Sequence, residues 1–326
     1  MTNNDNIIQA KSLQKVFKVE VKQAGFLQRM KSLFHPTYKE IKAVDGINFE
    51  IKRGEKIAFI GPNGAGKSTT IKMLTGILTR SGGTLQVLWM DPCKQRKKLI
   101  YKISAVFGQT SRLRYHLTAK DTFKLMGQLF GVPKKELEER LDHLISTFEI
   151  EELINTPIRK LSLGQRMRCE IVASLIHKPE IIFLDEPTIW LDIIAKQKLR
   201  EIINEINKKE KTTIFLTSHD LWDIEQVCDR AIIINHGEIL YDGSLLNLRK
   251  NYIKKKIIKV KLANTTTFKP LPFMKIVKQE MDFVKFEIPN TKENLQKTFE
   301  EITNTYDVDD IEIKDPAIEE IIKEFY

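Results

Sequence analysis

The sequence predicts an α/β fold: a mixed sheet with flanking helices and a helical insert, followed by a small α+β domain. Three observations predict it. Short, fully apolar runs such as Ile57–Ile60, Ile181–Leu184 and Ile214–Leu216 read as buried parallel strands. Segments of helical periodicity alternate with them. After about residue 250 the pattern changes to period-two alternation, IIKVKLA, MKIVKQE and DFVKFEI, as in half-exposed antiparallel strands.

The chain is organised around Gly61, Pro62, Asn63, Gly64, Ala65, Gly66, Lys67, Ser68 and Thr69, which spell G-x-x-x-x-G-K-S-T. The strand KIAFI precedes this loop. A helix follows, with Ile71, Leu74, Ile77 and Leu78 on one face. Strand, glycine loop and helix N-terminus form the context of a phosphate-binding loop. Glycine lets the backbone curl tightly and turn its N–H groups inward. Together with the helix N-terminus those groups form a nest for anions. Lys67 is placed to neutralise phosphate charge and the Ser68 hydroxyl to bind magnesium.

Bulk properties narrow the partners. The 326 residues suffice for one large domain or for one large and one small. A charged content of 29% with 42% hydrophobic residues fits a globular chain. Cys93, Cys169 and Cys228 are far apart and form no CxxC pair, so neither disulfides nor zinc are expected and a reducing cytoplasm fits. No apolar run is long enough to cross a bilayer, and MTNNDNIIQAK lacks the apolar core of a signal peptide. The net charge of +10 suits nucleic acid, an anionic membrane surface or simply a lysine-rich solvated surface. The lysines are scattered and no nucleic-acid-binding pattern accompanies them, so no nucleic-acid partner is expected.

In chain order, residues 7–19 read as a strand ending near Phe17. Within an insertion at 20–40, Phe26, Met30, Leu33 and Phe34 form an apolar helical stripe bordered by Lys22, Arg29, Lys31 and Lys39. Such a basic amphipathic helix lies on a membrane, docks on a partner or packs on its own domain. Residues 41–51 resume as a strand, and TLQVLWM (84–90) is another. ISAVFGQT (103–110) is a short buried strand that ends at the polar Gln109. Residues 110–178 read as a helical subdomain, with helices expected at Thr118–Phe130, Lys134–Phe148 and Ser162–His177. Ser162 and Gln165 have capping-box spacing around Gly164. The strand before Asp185 and Glu186 delivers both acids to its C-terminal end, the edge where ligands sit in open α/β sheets. There Asp185 can orient magnesium and Glu186 can polarise an attacking water. TTIFLTSHD delivers His219 to the same edge, where it could contact a γ-phosphate. RAIIINHGEILY (230–241) reads as a hairpin turning at Asn235, His236 and Gly237. A first domain is expected at 1–250 and an α+β accessory domain at 251–326.

With these pieces in order, residues 7 to about 250 resemble the ATP-binding subunit of an ABC transporter. GPNGAGKST looks like Walker A, Gln109 like the Q-loop glutamine and LSLGQ like the signature LSGGQ, with Leu163 replacing a glycine. IIFLDEPT looks like Walker B, Leu191 and Asp192 like the D-loop, and His219 like the switch histidine. Phe17 takes roughly the place of the aromatic that stacks on adenine, with Tyr38 as its rival. Trp190 and Trp89 stand where relatives carry glycine, which would strain either loop if positive φ is needed there.

The resemblance implies ATP and Mg2+ as cofactors. It also implies Glu186, His219 and Gln109 as catalytic residues, and Ser68, Gln109 and Asp185 around the metal. Two cassettes would meet head-to-tail as a homodimer, each site using the loop of one copy and Ser162, Gly164 and Gln165 of the other. Asp192 would lie near the shared nucleotide. Integral membrane permease subunits would hold the cassette on the inner face of the cell membrane, and LSLGQRMR points to the exporter subgroup. The alternatives are a soluble ABC ATPase acting on ribosome or DNA, and a non-hydrolysing nucleotide switch.

Overall fold

The computed structural model describes residues 5–20, 38–108, 111, 113–188, 191–218, 221–252, 254–263, 268–280 and 283–314. Gln109, Trp190, His219, the stripe residues Phe26 to Phe34 and the expected helix PAIEEIIKEFY lie outside them. By internal contacts the chain divides into Met1–Ser244 and Leu245–Tyr326.

The first unit opens with two long strands, β1 (Asn6–Glu20) and β2 (Tyr38–Lys52), paired antiparallel as far as Glu20 and Tyr38. Tyr38, Lys39 and Glu40, placed by the sequence reading in the helical insertion, are therefore strand residues. Ladder hydrogen bonds extend the ribbon past the point where the apolar alternation stops. β4 (Gly82–Val87) completes a three-stranded sheet in the order β2-β1-β4. The expected strand TLQVLWM stops early. Leu88 and Trp89, both at positive φ, form a two-residue turn closed by Val87 and Met90, each donating its N–H to the other's carbonyl at 2.9 Å.

A six-stranded sheet carries the glycine loop. Its order is β5 (Ile103–Phe107), β6 (Ile181–Asp185), β7 (Thr213–Thr217), β3 (Lys56–Ile60), β8 (Arg230–Asn235) and β9 (Glu238–Ser244). The strands from β5 to β8 are parallel, and β9 folds back antiparallel through His236 and Gly237, both at positive φ. This is the hairpin expected from the sequence.

The core runs through both sheets and the helix α1 (Lys67–Leu74), joining Ile8, Leu13, Ile51 and Leu85 to Ile71, Leu74, Ile181 and Ile232. A row of rings crosses it: Phe183 lies 5.6 Å from Phe215, which lies 5.3 Å from Phe59. The row follows from neighbouring parallel strands placing apolar residues level on one face, Phe183 opposite Phe215.

After the one-turn helix α2 (Arg96–Leu99) comes the helical insert, α3 (Ala119–Leu129), α4 (Lys134–Thr147) and α5 (Leu163–Leu175). Thr118 caps α3 and Ser162 caps α5, the latter with the capping box read from the sequence. α6 (Ile193–Glu210) follows β6. α7 (Leu221–Val227) precedes β8.

The second unit has α8 (Leu245–Tyr252) and a four-stranded antiparallel sheet in the order β11 (Lys275–Gln279), β12 (Phe283–Pro289), β10 (Lys255–Leu262) and β13 (Val308–Lys314). Helix α9 (Lys292–Thr305) lies between β12 and β13 in the chain. Its Ile302 shares a core with Ile258, Val260, Val284 and Phe286, while the alternating Lys259 and Lys261 face solvent.

Candidate nucleotide site

The glycine loop leaves β3 and enters α1. Gly66 has φ +110, and a Cβ there would come within 2.4 Å of the Ala43 carbonyl oxygen; a Cβ on Gly61 would meet the Ile234 carbonyl oxygen at 2.3 Å. Both glycines are thus required by close backbone approach, from β2 on one side and β8 on the other. The β8–β9 turn braces the loop, with Gly237 donating its N–H to Ala65 O at 3.1 Å.

Lys67 is 5% exposed. Its Nζ donates to the carbonyl oxygens of Gly61, at 2.6 Å, and Pro62, at 3.0 Å, so the ammonium reaches back across the loop. Burial lowers its pKa, and the nearby carboxylates of Glu186 and Asp185 oppose that shift.

Asp185 ends β6. Its Oδ1 accepts a hydrogen bond from Thr217 Oγ1 at 2.7 Å. Glu186 follows at φ +55, a left-handed conformation uncommon for a residue other than glycine. Its N–H is shared between the carbonyl and the hydroxyl oxygen of Thr217, both at 3.1 Å. The segment leading to Gln109 lies against the same corner: Gly108 donates its N–H to Asp185 O at 2.9 Å, and a Cβ on Gly108 would strike Glu186 O at 2.6 Å.

The signature segment forms the expected capping box. Ser162 Oγ accepts from Gln165 N at 3.2 Å, and Gln165 Oε1 accepts from Ser162 N at 2.9 Å. Ser162 and Leu163 are exposed, and Gly164 lies near Leu191, whose Cδ2 would be 3.7 Å from an added Cβ. Asp192 caps α6, its Oδ1 accepting from Ala195 N at 2.8 Å. Phe17 is half-buried, opposite Ile41 in the ribbon, with Lys15 Nζ 5.0 Å above its ring. Tyr38 is exposed farther out, opposite Glu20. Of the two aromatics, Phe17 stands closer along the ribbon to Ala43 and Val44, which touch the loop.

The sequence reading missed Thr217. Only one signal could have found it: a hydroxyl residue ending an otherwise apolar buried strand, between the strand of the paired acids and the strand of the loop.

A glycine loop around a buried lysine, with paired acids two strands away at the same sheet edge, defines a P-loop nucleoside triphosphatase. Comparison with known proteins takes this further. Residues 44–189 match the family model "ABC transporter". The chain is 34% identical over 215 residues to the ABC transporter ATP-binding protein NatA of Bacillus subtilis, covering 66% of this chain and 87% of NatA. It is 32% identical over 213 residues to the bacitracin transport ATP-binding protein BcrA of Bacillus licheniformis, covering 65% of this chain and 68% of BcrA. Among solved structures, the dimeric post-hydrolysis state of the ATP-binding cassette MJ0796, bound to ADP and Pi, superposes with a TM-score of 0.61 at 24% identity, over 73% of this chain and 98% of that one. The chain belongs to the ABC transporter ATP-binding family. It is an ATP-binding, ATP-hydrolysing transporter subunit, and no helix among the described residues is long and apolar enough to cross a membrane.

Proposed function

We propose that this chain powers an exporter, working as a pair of cassettes that close on ATP and part after hydrolysis. The observation that carries the reading is Lys67, buried in the glycine loop with its ammonium turned back on the loop carbonyls, with Asp185 and Glu186 at the end of β6 on the same sheet edge. That arrangement supplies phosphate binding and a base on one chain. The capped start of α5 faces solvent, so a second copy could lay Ser162, Gly164 and Gln165 over the nucleotide. The names of NatA and BcrA support transport, and the dimeric MJ0796 cassette supports pairing.

The roles we assign extend the family membership to this chain's own residues. The loop N–H groups and Lys67 bind the phosphates, and Phe17 meets the adenine. Glu186 takes a proton from the attacking water, and Gln109 and His219 are assigned to the same reaction by family membership. Asp192 stands near the seam. The Ser68 hydroxyl and the Asp185 carboxylate are hard oxygen donors of the kind magnesium prefers, and Asp185 is already fixed by a hydrogen bond. These residues, with Gln109, would hold Mg2+, which when bound draws charge from the phosphate oxygens. Integral membrane permease subunits are the partners, and they place the cassette on the inner face of the cell membrane. Residues 21–37 serve that membrane side.

The test is Glu186→Gln. The amide keeps shape and loses the base, and removal of a general base costs about 10²–10⁴ in rate. With ATP the variant should size as a dimer by light scattering, with turnover lost. A monomer, or normal turnover, would refute the reading.

A further inference from the structure

We propose that Thr217 is a positioning residue for hydrolysis, fixing at once the carboxylate of Asp185 and the backbone from which Glu186 projects. The inference rests on the roles of Asp185 and Glu186 given above.

The topology makes the position special. β7 lies between β6, which delivers the acids, and β3, which delivers the glycine loop. Thr217 is the last residue of β7 and pairs directly with Asp185. It is fully buried, so water does not compete for its hydroxyl. That hydroxyl has one proton and two lone pairs. The proton goes to Asp185 Oδ1 at 2.7 Å, and a lone pair accepts the Glu186 N–H at 3.1 Å. One side chain therefore serves both acids. The second contact holds the backbone of Glu186 at φ +55, a sparsely populated conformation that persists only where its surroundings impose it. Letting that residue relax toward negative φ would swing the Glu186 side chain away from the loop.

The two contacts predict two separable losses. Without the hydroxyl, Asp185 loses the donor that fixes its rotamer, so the oxygen offered to magnesium is less well aimed. Glu186 loses half of a shared hydrogen bond, and its carboxylate is less well aimed at water. Neither contact touches the loop N–H groups or Lys67, so metal-free nucleotide binding stays as it was.

The experiment uses the full-length chain with Thr217→Val, which keeps the volume and removes the hydroxyl, and Thr217→Ser, which keeps the hydroxyl and removes the methyl group. Thermal unfolding establishes that each variant folds. A fluorescent ATP analogue in EDTA should bind both as it binds the unaltered chain. In Thr217→Val the Mg2+ concentration needed for half-maximal enhancement of analogue binding should rise, and kcat should fall, each by roughly 10–100-fold, as is usual when a partner of a metal ligand is removed. KM for ATP should stay within about twofold, on the same expectation that phosphate binding is untouched. Thr217→Ser should restore both quantities. At saturating Mg2+, where the Asp185 contact is compensated, Thr217→Val in a Glu186→Gln background should lower residual turnover no further, because the remaining loss acts through Glu186. Unchanged Mg2+ dependence and kcat in Thr217→Val, or Thr217→Ser failing as badly as Val, would overturn the proposal and leave Thr217 a packing residue. Normal turnover in Glu186→Gln alone would instead reject the role given to Glu186. If Thr217→Val does not fold, Thr217→Ser decides: a loss in Mg2+ dependence or kcat there sinks the proposal, and full function sustains it.

Discussion

Ser111 Oγ donates a 2.7 Å hydrogen bond to Glu170 Oε2, joining the segment just after Gln109 to the buried side of the signature helix α5. The same hydroxyl accepts from Leu113 N at 3.1 Å, so it also shapes its own turn. One hydroxyl thus ties Ser111 to the helix whose N-cap is Ser162.

Ser111→Ala should therefore cost about 1–3 kcal/mol, since it strips a donor from a buried carboxylate. In a domain of this size that lowers Tm by roughly 2–4 °C per kcal/mol. Glu170→Ala should cost more, and adding Ser111→Ala to it should cost less than Ser111→Ala alone. Differential scanning calorimetry on the three variants checks the cycle. Strict additivity would show that the two side chains do not act together.

A second tie joins α6 to α7. Arg200 Nη1 lies 2.8 Å from Asp223 Oδ1, both side chains are buried, and Lys196 Nζ is 3.8 Å from Oδ2. α7 begins two residues after His219, so this pair anchors the helix that follows that residue. Asp223→Asn should destabilise by about 3–5 kcal/mol, because it leaves the Arg200 charge buried without its partner. Adding Arg200→Met should recover part of the loss, because it removes the buried charge itself and leaves an apolar side chain of similar length. Urea denaturation reads both outcomes, and a loss under about 1 kcal/mol would show that solvent reaches the pair.

Much of this was legible in the sequence because the relevant signals are local. The glycine loop, the capping box at Ser162 and Gln165, and the turn at His236 and Gly237 each rest on residues within a few positions of one another. What escaped rests on pairings between distant segments. Thr217 gains its meaning only when β7 lies between β6 and β3, and Glu170 only when α5 packs beside Ser111. The length of the β1–β2 ribbon was hidden for a different reason. Past Lys15 and Val44 its residues are mostly exposed, so backbone hydrogen bonds rather than an apolar period define it.

The turn at Leu88 and Trp89 offers a third prediction. Both residues have positive φ, as a two-residue hairpin turn requires, yet neither is a residue that favours it. Holding a side chain there costs about 1–2 kcal/mol per residue. Leu88 is buried and contributes to the core, whereas Trp89 is half-exposed, with the Arg53 guanidinium 5.9 Å from its ring. That contact is worth about 0.5–1 kcal/mol at an exposed site. Trp89→Gly should therefore stabilise the chain by up to about 1.5 kcal/mol, the difference between the two effects. A fall in Tm would show that the indole contributes more to stability than the turn strain costs.

The last prediction concerns residues 21–37, which link the ends of the ribbon. Glu20 and Tyr38 are already paired across it, as are Val19 and Lys39. A two-residue Asn-Gly turn matches the twist of such a ribbon and can close it directly. Replacing 21–37 by Asn-Gly should thus leave the fold intact, because the core strands from Asn6 to Leu13 and from Val44 to Lys52 keep their register. The segment removed holds Phe26, Met30, Leu33 and Phe34 at helical spacing, with Lys22, Arg29 and Lys31 among them. Each such basic residue is worth about 1 kcal/mol near an anionic bilayer, and apolar burial adds to it. The shortened chain should keep its Tm and basal ATP turnover while losing at least tenfold in binding to vesicles rich in phosphatidylserine. Sedimentation with those vesicles, run beside neutral ones, measures the loss. If both forms bind the anionic vesicles equally, the segment has no role at the membrane surface. If the shortened chain unfolds instead, the apolar stripe belongs to the domain's own packing.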